Sequence, residues 1–319
     1  MTDDPVLIED WHPVARVEEL AAGGPVASRV LGEDLVIWRS GDEHHVWRDL
    51  CVHRGTRLSL GRVIKGGRLE CAYHGWTYGT DGRCVLIPAH PEQAPPAKAQ
   101  VTTYRATTAY GVVWVNLGGG AREVPRFELL DDPSHRVLLA GPYPVKASGP
   151  RIVENFLDIG HFPFVHEGIL GDRSRPEIND YTTTITKDGV LSTGVEVFQP
   201  DPYGTGRGST VTYTYRVHRP LFASFIKHGE HSFGMVLAVT PHDAVTSTAW
   251  MWMATDYEPE GSMIELQDLI FGQDRPILES QRPELLPLDL QAELHLRSDR
   301  TAIAYRRWLR ELGVRTGAY

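Results

Sequence analysis

Apolar and polar positions change their rhythm partway along this 319-residue chain. In the first stretch the apolar runs are short, β-branched or aromatic, and separated by turn residues: Leu35–Trp38, Val46–Trp47, Leu69, and Tyr110–Leu117. That pattern predicts an all-β module. A Gly/Pro-rich stretch near 118–150 follows and reads as a boundary, giving expected domains of 1–145 and 146–319. Beyond it, 153–165 is amphipathic at helical spacing. Ser209–Val217 then alternates Val211, Tyr213, Tyr215 and Val217 against polar neighbours, as a half-buried antiparallel strand does. The segments 235–240 and 246–257 read likewise, and helical patterns return at 271–279 and 299–312, the latter with Ala302, Tyr305, Leu309 and Leu312 as an apolar stripe. The expected fold class is α+β, with an N-terminal all-β domain and a C-terminal domain of antiparallel sheet and helices.

Composition removes several function classes. Hydrophobic residues make up 41% of the chain, yet no apolar run is long enough to cross a bilayer and no basic-then-apolar leader follows Met1. A non-membrane, cytoplasmic protein is expected. The formal charge of −9, without a Lys/Arg block, leaves no electrostatic footprint for nucleic acid, so a small molecule is the expected target. Of the 3 cysteines, Cys84 sits in a short apolar run and reads as a packing thiol.

The other two cysteines carry chemistry. Cys51 and His53, then Cys71 and His74, form a C-x-H-x17-C-x2-H set. Two thiolates can hold one iron of a [2Fe-2S] unit while two imidazoles hold the other, and the imidazoles raise the reduction potential. A structural zinc site accepts the same ligand types, but zinc modules pair cysteine with cysteine and histidine with histidine. Here each loop supplies one of each.

Residues 51–79, CVHRGTRLSLGRVIKGGRLECAYHGWTYG, resemble the cluster-binding segment of Rieske-type ring-hydroxylating and demethylating oxygenases. The Rieske proteins of respiratory complexes carry further cysteines and a cluster-bonding serine; this chain has Thr56, Tyr73 and Trp76 there, which implies fewer hydrogen bonds to the cluster and a lower potential. The resemblance implies a Rieske domain followed by a helix-grip catalytic domain holding mononuclear Fe(II).

A second constellation opens the downstream half: Glu154-Asn155-Phe156-Leu157-Asp158-Ile159-Gly160-His161-Phe162-Pro163-Phe164-Val165-His166. On one regular helix Asp158 and His161 share a face, whereas His161 and His166 diverge by about 140°. Pro163 bends or ends the helix and lets His166 swing back. Two imidazoles and a carboxylate form the facial set of non-haem iron oxygenases, although two unrelated histidines on an apolar helix are the commoner case. The string matches the family's N-x2-D-x2-H-x4-H. That resemblance makes His161 and His166 iron ligands, Asp158 a bridge from His161 to a Rieske histidine, and Asn155 a neighbour of the iron; Glu154 reads as solvated. For the third ligand, spacing leaves Asp289, Glu293 and Asp299 open. The resemblance implies Asp299, at the start of the last helix, although Ser298 and Asp299 are also N-cap residues.

No dinucleotide fingerprint is present; Gly118–Gly120 and Gly204–Gly208 lack the spacing. The resemblance therefore implies an NAD(P)H-dependent reductase, with or without a ferredoxin, feeding a [2Fe-2S] cluster and then Fe(II), where O2 attacks a small aromatic substrate by hydroxylation or by O- or N-demethylation. It also implies a head-to-tail homotrimer, since the two centres of one subunit are too far apart. Phe222, Phe225, Phe233, Met235, Trp250, Met251 and Trp252 are candidates for an apolar pocket, with Arg207 and Arg216 as weak candidates for a substrate clamp. The stretch 271–279 resembles the family's late helix, which implies a structural or subunit-packing role. The alternatives are an electron-transfer Rieske protein and a helix-grip binding protein with degenerate metal sites.

Overall fold

The computed structural model describes residues 2–120, 122–202, 206–229, 231–257 and 262–319. Gly204 and Thr205 of the glycine-rich stretch noted above lie outside them. Among the described residues no helix is long and apolar enough to cross a membrane.

The chain divides into two compact units between Pro125 and Arg126. The first carries α1 (Pro5–Ile8), β1 (Trp11–Arg16), α2 (Val17–Ala21), β2 (Val26–Val30), β3 (Glu33–Ser40), β4 (Glu43–Arg48), β5 (Arg62–Ile64), β6 (Arg68–Glu70), β7 (Thr77–Tyr78), β8 (Cys84–Leu86), β9 (Thr103–Ala109) and β10 (Val112–Asn116). They form a six-stranded sheet in the order β1-β10-β9-β4-β3-β2 and a four-stranded sheet β5-β6-β7-β8. The all-β expectation holds. Val36 and Trp38 of β3, Trp47 of β4, Leu69 of β6 and Tyr78 of β7 share one core with Cys51, Cys71 and Cys84, so the thiols are held by the same packing that joins the sheets. Cys84 is a packing thiol, as read from its apolar run.

The second unit holds α3 (Glu128–Asp131), β11 (Arg136–Val145), α4 (Gly149–Leu157), α5 (Phe162–Val165), β12 (Thr182–Thr186), β13 (Gly189–Gln199), β14 (Ser209–Arg219), β15 (Phe222–His228), β16 (Phe233–Pro241), β17 (Ser247–Thr255), α6 (Met263–Ser280) and α7 (Arg300–Leu312). Its antiparallel sheet runs β11-β17-β16-β15-β14-β13-β12. On β14 the expected row Val211, Tyr213, Tyr215, Val217 is buried. The division falls earlier than the 145 boundary read from sequence, because β11 pairs with β17 from Arg136↔Thr255 to Val145↔Ser247 and cannot be parted from that ladder.

The helix expected over 153–165 is two helices. Ser148 caps α4 by accepting from the Arg151 N–H at 3.4 Å, and the helix ends at Leu157, with Asp158 extended (φ −88°, ψ 128°). Pro163 lies in the first turn of α5, where its missing N–H has no intrahelical partner to lose. The proline thus opens a new helix; it does not bend the old one. In α7 the buried face is Thr301, Ala304, Tyr305, Trp308 and Leu309, rotated from the expected stripe so that Leu312 is half exposed, and Gly313 ends the helix at φ 78°.

Glu154 is not solvated. Its two oxygens accept from Arg306 Nε and Nη2 of α7, both at 2.6 Å, and Arg306 Nη2 also reaches Glu293 at 2.6 Å. Arg151 closes the set on Glu293 at 2.8 Å, tying α4 to α7. Burial works to raise the Glu293 carboxyl, but hydrogen bonds from Arg151 and Arg306 and their charge outweigh it, so its pKa is lowered from 4.5. A lowered carboxyl stabilises the fold above its unfolded pKa and loses that stabilisation as pH falls through the folded value. Arg306→Met, which strands two half-buried carboxylates, is expected to cost about 3–5 kcal/mol in urea unfolding at neutral pH. Glu293→Gln should flatten the acid limb of stability below about pH 4.5; an unchanged limb would remove the pair from the account.

Candidate metal centres and active site

The two Cys/His loops have the same backbone design. Cys51 N–H donates to Thr56 O at 2.8 Å and Gly55 N–H to Cys51 O at 2.9 Å; Cys71 N–H donates to Trp76 O at 2.9 Å and Gly75 N–H to Cys71 O at 3.1 Å. Gly55 and Gly75 stand at φ 72° and 70°, a conformation that favours glycine, and a Cβ on Gly75 would press on Pro88 at 3.0 Å. Each turn buries its thiol, leaving Cys51 and Cys71 only 3% and 2% exposed. The imidazoles of His53 and His74 lie nearer the surface with centroids 4.5 Å apart, and His53 stacks on Trp76 at 4.5 Å and 5°. Thiols therefore gather inside and imidazoles outside, one of each from each loop.

Four-ligand zinc needs all donors round one point. Among the described residues the donors that gather for a single ion are His161, His166 and Asp274. A two-iron unit, with the sulfur pair inside and the nitrogen pair outside, fits the Cys/His set. Tyr78 places its hydroxyl 3.1 Å from Cys51 Sγ. Burial and the thiols of Cys51, Cys84 and Cys71 push Tyr78 far above its ordinary pKa, so it is an O–H donor to a thiolate there.

The second constellation is built by the α4–α5 turn and α6. His161 Nδ1 faces Asp158 Oδ2 at 3.1 Å, and His166 Nδ1 faces Gln273 Oε1 at 2.8 Å. With protons on both Nδ1 atoms, both Nε2 lone pairs point at Asp274 Oδ1, 3.4 Å from His161 and 3.1 Å from His166. His166 Nε2 is buried and without a hydrogen-bond partner, although Asp274 is so near. A cation between these three atoms supplies what that lone pair lacks, so the residues fit a metal ion. Burial works to raise Asp274, but the two imidazoles facing it, when no cation lies between and they carry protons on Nε2, bring it down to about 2. For His161 burial lowers the pKa, yet Asp158 and Asp274 carry it up to about 9.

The carboxylate that the structure brings to the two histidines is Asp274, not the expected Asp299. Asp299 accepts from Leu296 N–H at 2.7 Å and from Ser298 Oγ at 3.0 Å in the turn that opens α7, so its local hydrogen bonding accounts for it. Asp289 is exposed and accepts from Gln291 N–H at 3.0 Å, and Glu293 belongs to the arginine cluster. The 271–279 helix, read as structural, supplies both Asp274 and the acceptor for His166. A signal was present: Gln267, Phe271, Asp274 and Leu278 form the buried stripe of α6, and an acid on an apolar stripe needs a partner. Asn155 reaches Asp274 Oδ1 at 3.4 Å, so it stands beside the site as expected.

The constellation opens on a cavity of about 170 Å³. Phe225, Phe233, Met235 and Met251 line it as expected, whereas Phe222, Trp250 and Trp252 are core. Arg207 and Arg216 are exposed and do not line it.

Residues 10–105 match the Rieske [2Fe-2S] domain, and residues 145–315 match the vanillate O-demethylase oxygenase C-terminal domain. The chain is similar to methylxanthine N1-demethylase NdmA of Pseudomonas putida, at 34% identity over 95% of this chain and 88% of that protein. It is similar to probable methylxanthine N7-demethylase NdmC of Pseudomonas sp. (strain TJI-51), at 35% identity over 98% and 96%. The solved structure of Pseudomonas putida CBB5 NdmA with caffeine superposes with a TM-score of 0.83 at 32% identity, covering 96% of this chain and 91% of that one.

Removing an outer acceptor from a metal-bound imidazole typically weakens metal binding about 10–100-fold. Gln273→Leu is expected to do so in anaerobic Fe(II) titration, with Gln273→Glu restoring most of the loss. Equal affinities for the wild type and Gln273→Leu would remove Gln273 from the site.

Proposed function

The chain belongs to the Rieske oxygenases that join a Rieske [2Fe-2S] domain to a vanillate O-demethylase-type oxygenase domain, and from that premise we propose that it removes N-methyl groups from small, flat heteroaromatic rings. It is the terminal oxygenase component of its system, and its electrons come from a partner reductase. When bound, the [2Fe-2S] cluster and the ferrous ion supply one-electron transfer and activation of O2. The overall change balances as R–CH3 + O2 + NAD(P)H + H⁺ giving R–H, formaldehyde, water and NAD(P)⁺.

The observation that carries the reading is the convergence of His161, His166 and Asp274 on one wall of an apolar, aromatic cavity. In this reading Cys51, Cys71, His53 and His74 hold the cluster, and His161, His166 and Asp274 hold the iron. Phe225 and Phe233 offer flat faces to a ring, and the methionines Met235 and Met251 adapt to its edge. The apolar walls limit the access of bulk water to the reacting methyl group. Similarity to NdmA and NdmC favours nitrogen over oxygen as the atom that carries the methyl group.

Asp158 has a further part. Its Oδ1 is fixed by the Gly160 N–H at 2.7 Å, and Oδ2 orients His161, yet the side chain is 40% exposed. An exposed carboxylate on a ligand histidine suits a contact with a Rieske histidine of a neighbouring copy, in a head-to-tail homotrimer fed by the reductase directly or through a ferredoxin.

Iron-reconstituted protein with a surrogate reductase, given caffeine, theobromine and methoxybenzoates, should consume O2 and release formaldehyde with the xanthines; release from methoxybenzoates alone would replace the N-demethylase reading. Asp274→Ala should lose the mononuclear iron while keeping cluster absorbance, and Asp299→Ala should keep both, the reverse pattern restoring Asp299 as the ligand. Asp158→Asn should bind both metals and fail in coupled turnover; undiminished turnover rules out the bridge.

A further inference from the structure

The helical side of the cavity supplies the metal-facing residues, and the sheet side supplies a cation. Lys227 of β15 is the one lysine or arginine among the described lining residues, and it is only 7% exposed. Strand register fixes the face on which it stands. It pairs with Tyr213 on β14 and with Phe233 on β16, and all three residues line the cavity. Its Nζ lies 5.2 Å from the centroid of the Phe233 ring and donates to Pro202 O at 2.5 Å, and Pro202 belongs to the same wall. The ammonium is thus set among groups that themselves line the cavity.

A methionine would pack a similar stem there without taking a charge out of water, a cost that one main-chain carbonyl and one aromatic face offset only in part. An ammonium has three donors, so a bond to Pro202 O and a bond to a ligand are compatible. We propose that the Lys227 ammonium donates a hydrogen bond to an oxygen acceptor on the substrate, a ring carbonyl or a carboxylate, and so selects methylated heteroaromatics that carry such an oxygen over hydrocarbon-like rings of the same shape. Burial lowers the lysine to about 8 against the opposing pull of Asp201, which leaves it mostly protonated at neutral pH. The inference rests on the reading of this cavity as the substrate site.

The test uses holoenzyme and three N-methyl bicycles of similar shape: 1-methylindole-5-carboxylate, 1-methylindole-5-carboxamide and 1-methyl-5-isopropenylindole. Binding is measured calorimetrically without reductant at neutral pH. The wild type should bind at least one of the two oxygen compounds about tenfold or more tightly than the isopropenyl isostere, the scale of a hydrogen bond to a charged group. The carboxylate in the lead marks an anionic acceptor, the carboxamide in the lead a carbonyl. Lys227→Met should erase the preference, with unchanged iron and cluster content and unchanged affinity for the isopropenyl compound. A preference that is missing from the wild type, or that survives in Lys227→Met, overturns the proposal and leaves the ammonium as a tie for the chain at Pro202. The wild-type comparison needs no variant and decides the matter even where Lys227→Met folds poorly. Failure of the N-demethylase reading would show separately, as ligand binding without formaldehyde release.

Discussion

One buried carboxylate organises the catalytic unit. Asp274 is 7% exposed, on the apolar stripe of α6, where a lone charge would cost several kcal/mol or be neutralised by a proton. It stays ionised where the two imidazoles that face it carry protons on Nε2 or share a cation with it, and each ring is aimed by an acceptor on its other nitrogen. The result is an unbroken line, Gln273–His166–Asp274–His161–Asp158. Every link fixes a tautomer or a ring orientation. The ion cluster of Arg151, Glu154, Glu293 and Arg306 supports the line from outside by holding α4, which precedes the turn, against α7.

The two centres meet the same need for fixed ligands by different means. In the first unit the ligands come from two short loops, each closed by its own backbone hydrogen bonds and each bent by a glycine at positive φ. Local chain geometry is enough to aim them. In the second unit the ligands come from elements far apart in sequence, so tertiary packing has to bring them together.

That difference explains what could be read before the structure. The Cys51/His53 and Cys71/His74 pairs were legible as a candidate cluster site because each loop carries its own pair, and His161 with His166 because they are five positions apart. The alternation of β14 and the all-β character of the first unit were legible for the same reason: strand period is a local property. Asp274 was not, since nothing local ties it to histidines more than a hundred positions away. Asp299 attracted the assignment because an acid at a helix start is conspicuous in sequence, yet that position has a local use in hydrogen bonding to Leu296 and Ser298. The better discriminator was burial pattern. An acid on the polar side of a helix explains itself by solvation, and an acid in the row Gln267, Phe271, Asp274, Leu278 does not. Arg207 and Arg216 misled in the opposite way, standing near strands but on their solvent side.

The break between α4 and α5 shows why the motif is spaced as it is. A continuous helix would place His161 and His166 about 140° apart. Ending α4 at Leu157 leaves Asp158 extended and frees its carboxylate from the helix surface. Gly160 then offers its N–H to Oδ1, and a Cβ at that position would come within 3.1 Å of the same oxygen, so glycine keeps room for the carboxylate to settle. With Oδ1 occupied, Oδ2 faces His161. Pro163 restarts the helix one turn later, at a position that needs no N–H, and carries His166 round to a ring separation of 5.1 Å from His161. Asp158, Gly160 and Pro163 thus each have a backbone reason for their place in the string. The turn that makes two histidines converge also leaves Asp158 partly exposed, so a converged imidazole pair on one side and an accessible carboxylate on the other follow from a single local fold.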